Sequence, residues 1–145
     1  MSIIRGIKTL PLRMEQHQKN AFAIAKWLQE QPRVQYVLYS GLENHPGYEI
    51  NKAQTTGFGG MISFAVDNAE TARQILEGVK LIKFAESLGG TESLITYPIR
   101  QTHTDLTAEE CAEKGITDCL LRFSTGIEAT QDLIDDLAQA FAAIE

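Results

Sequence analysis

Basic charge is scarce in this sequence: 13 lysines and arginines face 19 aspartates and glutamates, leaving a formal net charge of −6. No basic stripe remains to follow a phosphate backbone, which argues against nucleic acid as a partner. Long apolar runs are missing as well. None approaches ~18 residues, so no membrane span is expected, and the opening residues lack the charged, apolar and small regions of a secretory signal. Cysteine is limited to Cys111 and Cys119, whose spacing suggests neither a bridge nor a metal site and fits a reducing compartment. A soluble cytoplasmic domain is the expectation. The three histidines, His17, His45 and His103, show no metal-ligand spacing with one another or with the cysteines. His17 is expected at the boundary of its helix. A Gly-x-Ser-x-Gly elbow is absent, so serine hydrolase chemistry has no support. Gly57-Phe58-Gly59-Gly60 precedes a strand instead of following one, which fails the dinucleotide fingerprint and reads as a tight turn.

What is present suits one globular domain. The 145 residues are 43% hydrophobic and 22% charged, enough for a real core in a single domain over 1–145. Leu10, Met14, Ala21, Ala25 and Leu28, with Ile24 and Trp27 beside them, recur at helical spacing from about residue 9 to 30. Pro11 fits the first turn and Pro32 stops the run. The stretch Ile3 to Leu12 carries Arg5 and Lys8 and little core of its own, so this helix reads as continuing from something upstream. Val34 to Tyr39 reads as a strand. Ser40 to Gly60 is a long irregular stretch with a short helix opened by Pro46, a length that is usually functional. Met61 to Val66 is a strand with Ile62, Phe64 and Val66 on one face.

Asp67 and Glu70 read as a capping pair for a helix closed by Gly78. Leu81 to Ala85 and Ser93 to Tyr97 are short strands. Thr107 and Glu110 form a second capping box, for a helix ending at Gly115. Cys119 to Ser124 is a strand, and Leu133, Leu137, Phe141 and Ile144 mark a terminal helix whose Asp132, Asp135 and Asp136 favour its macrodipole. This order predicts an α+β fold: a mainly antiparallel sheet with helices packed on one side and a long N-terminal helix.

Arg122 stands out within the apolar strand Cys119-Leu120-Leu121-Arg122-Phe123-Ser124. A guanidinium among Leu and Phe is costly to bury unless an anion meets it, and its fork is shaped for a carboxylate. One reading is a small carboxylate ligand; the other is a structural salt bridge to one of the 19 acids. Glu86-Ser87 lies just ahead of Gly89-Gly90, where a hydroxyl and a closely approaching backbone suit ligand orientation. Thr102-His103-Thr104 supplies further hydroxyls. None of these groups is a general base with an evident activating partner.

Glu86-Ser87-Leu88-Gly89-Gly90-Thr91-Glu92-Ser93-Leu94, then Pro98, Gln101-Thr102-His103, and Leu121-Arg122-Phe123-Ser124-Thr125-Gly126-Ile127-Glu128 resemble the C-terminal domain of the trans-sulfuration enzymes. This is the pyridoxal-phosphate-dependent family of cystathionine γ-synthase, γ-lyase and β-lyase, with methionine γ-lyase and O-acetylhomoserine sulfhydrylase. Arg5-Gly6-Ile7-Lys8-Thr9-Leu10, Arg13-Met14, His45-Pro46, Glu49 and the Gly-Phe-Gly-Gly turn extend the resemblance over nearly the whole chain. It is closest to the γ-synthase and γ-lyase branch.

The resemblance implies that Arg122 binds the substrate α-carboxylate and that Ser87 contacts substrate and helps orient the cofactor lysine of the complete enzyme. It implies that Glu86 varies with reaction choice, that Thr102 sits behind the carboxylate, and that His103 supports its loop. The family's Schiff-base lysine, in a Ser-x-x-Lys setting, belongs to a larger upstream domain with the phosphate loop, the stacking Tyr and the Asp that pairs with the pyridine nitrogen. Lys8, Lys19, Lys26, Lys52, Lys80, Lys83 and Lys114 have no such setting. The chain is therefore expected to hold no catalytic, cofactor-binding or metal-binding residue and to be inactive alone, as an excised or truncated domain. The complete enzyme would carry pyridoxal phosphate, act on sulfur amino acids or O-acylhomoserine by γ-elimination or γ-replacement, and form a homotetramer. The alternatives are a free-standing amino-acid-binding module and a structural partner of a separate catalytic polypeptide.

Overall fold

The alternation of Ile62, Phe64 and Val66 with Met61 and Ser63 dictates a strand with one apolar face, and that face lies at the centre of the core. A computed structural model describes residues 2–101 and 106–144. The strands are β1 (Val34–Leu38), β2 (Met61–Val66), β3 (Lys83–Phe84), β4 (Leu94–Thr96) and β5 (Leu120–Ser124). They form a single sheet in the order β1-β2-β5-β4-β3, so β1 and β3 end it. β1 with β2, β2 with β5 and β5 with β4 run antiparallel, whereas β3 and β4 run parallel. The sheet is thus mixed, which corrects the expectation of a mainly antiparallel one. The cause is the crossover from β3 to β4, which returns the chain in its original direction through residues 85–93.

The helices are α1 (Ser2–Ile7), α2 (Leu10–Gln29), α3 (Tyr48–Gln54), α4 (Ala69–Gly78), α5 (Pro98–Gln101), α6 (Ala108–Glu113) and α7 (Thr130–Ala142). Pro11 occupies the first turn of α2, where no donor is lost. α4 is capped by Asn68, whose side chain accepts from the Thr71 N–H, and not by Asp67, a correction to the sequence reading. Asp67 pairs with Arg33 instead. At α6 the capping box of Thr107 and Glu110 closes in both directions.

The core gathers Ala21, Ile24 and Leu28 of α2, Ala72 and Ile75 of α4, and Leu133 and Leu137 of α7. They pack against Val37, Ile62, Phe64, Val66, Ile95, Leu121 and Phe123 of the sheet. These three helices therefore share one sheet face. Trp27 and Phe141 close one end edge to face at 5.5 Å between centroids. Asp136 faces inward on α7, buried, with its carboxylate accepting from the N–H groups of Lys80, Leu81 and Ile82. Its sequence role as a macrodipole partner is thus replaced by anchoring the turn into β3. At the other end of the sheet the Tyr39 hydroxyl donates to the Gly59 carbonyl (2.9 Å) and the Phe58 N–H to Gln18 (2.5 Å). The segment before β2 is tied down by these bonds, and Gly59 takes the turn at φ 72°.

Candidate functional site

The alternation of β5 sends Leu121 and Phe123 into the core and leaves Leu120, Arg122 and Ser124 on the opposite sheet face. Arg122 lies opposite Ser63 of β2 and Thr96 of β4. It is half-buried, and its Nε is fully buried with no hydrogen-bond partner. Among the described residues the arginine–carboxylate ion pairs are those of Arg33 with Asp67 and of Arg73 with Glu70 and Glu77. No described acid meets Arg122. A buried donor without a partner loses its hydration for nothing in return, a cost of about 1–3 kcal/mol, so this atom marks a place where an acceptor is wanted.

The loop carrying Glu86 and Ser87 is brought to the same face by two bonds. The Thr96 hydroxyl donates to the Ala85 carbonyl at 2.9 Å, and the Gly89 N–H donates to the Ser124 hydroxyl at 3.0 Å. Thr96 opposes Arg122, and Ser124 follows it by two residues. Glu86 and Ser87 therefore span a short arc between anchors on either side of the arginine, and both are exposed. Gly89 adopts φ 75°, which only glycine takes without strain. Thr102 and His103 lie outside the described residues.

Behind this arc is a polar seam absent from the sequence reading. His17 is buried, in place of the boundary position expected for it, and its Nδ1–H donates to the Thr125 carbonyl at 2.6 Å. Asn20, also buried, donates to the carbonyls of Gly126 (3.0 Å) and Glu128 (2.9 Å) and accepts from Thr130 (2.6 Å). The signal lay in the spacing: His17 and Asn20 fall on the stripe of Ala21, Ile24 and Leu28, where a polar residue needs a partner. α2 thereby fixes the segment that leaves β5.

A cleft of about 720 Å³ runs between α2 and the segment before β2, with Phe22, Leu42, Tyr48 and Phe58 in its walls; Arg122 and Ser87 do not line it. Among the described residues no cluster of His, Cys, Asp or Glu gathers to hold a metal ion, and no helix is long and apolar enough to cross a membrane. The thiol of Cys119 is pushed up by burial and then by Asp118, away from a reactive thiolate.

The family model described as Cys/Met metabolism PLP-dependent enzyme matches residues 1–142. The chain is 51% identical over 138 residues to a cystathionine γ-lyase of Dictyostelium discoideum, covering 94% of this chain and 36% of that protein. It is 50% identical over 142 residues to a cystathionine γ-synthase of Haemophilus influenzae, covering 98% and 34%. A crystal structure of cystathionine γ-synthase from Xanthomonas oryzae pv. oryzae, in complex with aminoacrylate and cysteine, superposes with a TM-score of 0.89 at 43% identity. That match covers 97% of this chain and 38% of the other.

The chain thus spans little more than a third of the length of these relatives. A lysine that anchors pyridoxal phosphate must be enclosed beside the ring, and every lysine of this chain is exposed. The residues present do not fit the anchoring of that cofactor, and no step through it is assigned to them. In sequence and in fold, this chain belongs to the PLP-dependent enzymes of cysteine and methionine metabolism, with relatives named both cystathionine γ-lyase and cystathionine γ-synthase.

Proposed function

We propose that this chain is the substrate-facing C-terminal domain of a cystathionine γ-synthase- or γ-lyase-like enzyme and that Arg122 binds the α-carboxylate of its amino-acid substrate. The observation that carries this reading is the buried, partnerless Nε of Arg122 beside an exposed Glu86–Ser87 arc. A carboxylate seated on the fork accepts from Nε and a terminal nitrogen together, which satisfies the orphaned donor and fixes the ligand's plane. Ser87 then supplies a hydroxyl to the bound amino acid, Glu86 tunes which branch of γ-chemistry is served, and Thr102 lies behind the carboxylate.

Pyridoxal phosphate supplies the electron sink for carbanion chemistry when bound, and that task belongs to the rest of the complete enzyme. This chain holds and orients the substrate, and alone it is inactive. The complete enzyme acts on sulfur amino acids or O-acylhomoserine by γ-elimination or γ-replacement and assembles as a homotetramer. The open part of the outer sheet face, with Tyr36 40%, Leu38 44% and Met61 38% exposed, supports a covering domain on this side.

Calorimetric titration with L-methionine, L-cystathionine and O-acetylhomoserine tests the carboxylate role. Weak binding that falls about 30- to 150-fold in Arg122→Ala is expected, the loss of roughly 2–3 kcal/mol of charge-assisted hydrogen bonding. Binding equal in both proteins refutes it. Micromolar binding by the chain alone, lost in Arg122→Ala, favours the free-standing binding module. Sequencing the encoding transcript tests the domain assignment: a frame that also encodes a Ser-x-x-Lys lysine is expected.

A further inference from the structure

The two loops beside Arg122 are joined through one carboxylate that substrate binding does not use. Glu128 is half-buried, and its Oε1 accepts from the Ser93 N–H at 2.6 Å while its Oε2 accepts from the Ser93 hydroxyl at 2.9 Å. Ser93 is fully buried, and its hydroxyl oxygen accepts in turn from the Gly126 N–H at 2.8 Å. One residue further on, the Ile127 N–H donates to the Thr91 carbonyl at 2.9 Å. The backbones here pass in contact. A Cβ on Gly126 would stand 2.6 Å from the Glu92 carbonyl carbon and would also strike the Thr91 carbonyl oxygen. Only glycine permits that crossing. Beneath it, Asn20 of α2 holds the carbonyls of Gly126 and Glu128.

We propose that Glu128 is a positioning residue: by gripping Ser93 it sets where the Glu86–Gly90 loop stands relative to Arg122. The proposal rests on the carboxylate-binding reading for its functional meaning. Backbone bonds hold the segment from Ala85 to Ser93 at its ends and at Thr91 (Ala85 N–H to Ile95, Lys83 N–H to Ser93, Ile127 N–H to Thr91), and the Gly126 N–H adds a bond to the Ser93 hydroxyl. Side chains of Thr96, Ser124 and Glu128 tie it further, at Ala85, Gly89 and Ser93. The Thr96 and Ser124 ties are single neutral hydrogen bonds, whereas Glu128 makes a two-point bond through a charged acceptor, the strongest of these side-chain ties. It is also the tie that runs through α2, so the loop's height over the sheet is referred to the core and not only to β5. Glu128 lies two residues ahead of α7, where its charge also suits the helix N-terminus. A role confined to that end would leave the loop unaffected.

The test is amide hydrogen exchange, followed by NMR, in the wild-type chain and in Glu128→Gln. The Gly89 N–H reports, because it bonds to Ser124 and has no bond to Glu128, and the Ile75 N–H in α4 is the control. At least tenfold faster exchange at Gly89 with Ile75 unchanged is expected. Unchanged Gly89 exchange overturns the proposal, as does a uniform increase at both amides, which would make Glu128 a general stabiliser. Should Glu128→Gln fail to fold, Glu128→Ala removes both points of the clamp and leaves the Gly126 N–H bond to the Ser93 hydroxyl in place, and it carries the same expectation. A titration with L-methionine, read from the Arg122 Nε–H resonance, adds the functional arm, with about tenfold weaker binding expected in Glu128→Gln. Equal binding in the two proteins overturns the functional part of the proposal. A wild-type resonance that never moves refutes the carboxylate reading, while the Gly89 exchange still decides the role of Glu128.

Discussion

Replacing Arg122 with methionine separates what the guanidinium costs from what it does. The thioether follows the same unbranched path, so the packing of the arginine stem is kept, and an apolar methyl takes the region of the buried Nε. In the free chain that Nε is buried without a protein partner. An unmet donor costs about 1–3 kcal/mol. Because Arg122 is only half-buried, the lower end applies, so Arg122→Met should raise stability by about 1 kcal/mol, roughly 3–4 °C in Tm for a chain of this length. Urea unfolding and calorimetry measure it. Adding a carboxylate ligand should reverse the order, since saturation to 100 times Kd stabilises the wild type by about 2.7 kcal/mol and leaves the variant unmoved. An Arg122→Met chain that is less stable than wild type by more than about 1 kcal/mol without ligand would refute the reasoning. The guanidinium would then be making an internal bond, the structural salt bridge that the sequence also allowed.

Gly126→Ala should destabilise by roughly 2–3 kcal/mol in urea unfolding, because its methyl has no space against residues 91 and 92. Gly6→Ala, in a helix with nothing within 4 Å, should be neutral or slightly stabilising. Asp136→Asn should cost roughly 2–3 kcal/mol in the same assay, since an amide nitrogen would face one of the N–H groups of Lys80, Leu81 and Ile82. Burial pushes the Tyr39 phenol from 10.0 up to about 12, so its contribution is complete below pH 10 and is lost as pH rises from 10 toward 12. Unfolding midpoints across that range should fall less steeply in Tyr39→Phe. A slope unchanged by the substitution would refute the assignment.

The features legible in the sequence were those set by local periodicity. The α2 stripe from Ala21 to Leu28, the alternation in β2 and the Thr107–Glu110 box all express contacts within a few residues and are found as read, whereas Leu10 and Met14 at the start of that stripe are exposed. Features set by partners far along the chain were not. Asp136 was read from its place at a helix start, yet its partners stand 54 to 56 residues away. Its position between Leu133 and Leu137 on the buried stripe was the available signal. The parallel pairing of β3 also hid, because only Ile82 of that apolar stretch is drawn into the core and two residues suffice for the strand. For the site, the oddness of an arginine among apolar residues was plain. The clamp from Glu128 to Ser93 was not, since nothing local distinguishes this glutamate from a solvated one.

The two rims of the sheet offer unequal templates. β3 presents a border two residues long, too short to recruit an incoming chain, whereas β1 presents five residues with Tyr36 and Leu38 uncovered beside the unpaired backbone. Among the described strands β1 is therefore the border more open to edge-to-edge association, and a single lysine placed at the exposed Gln35 would put a charge on it.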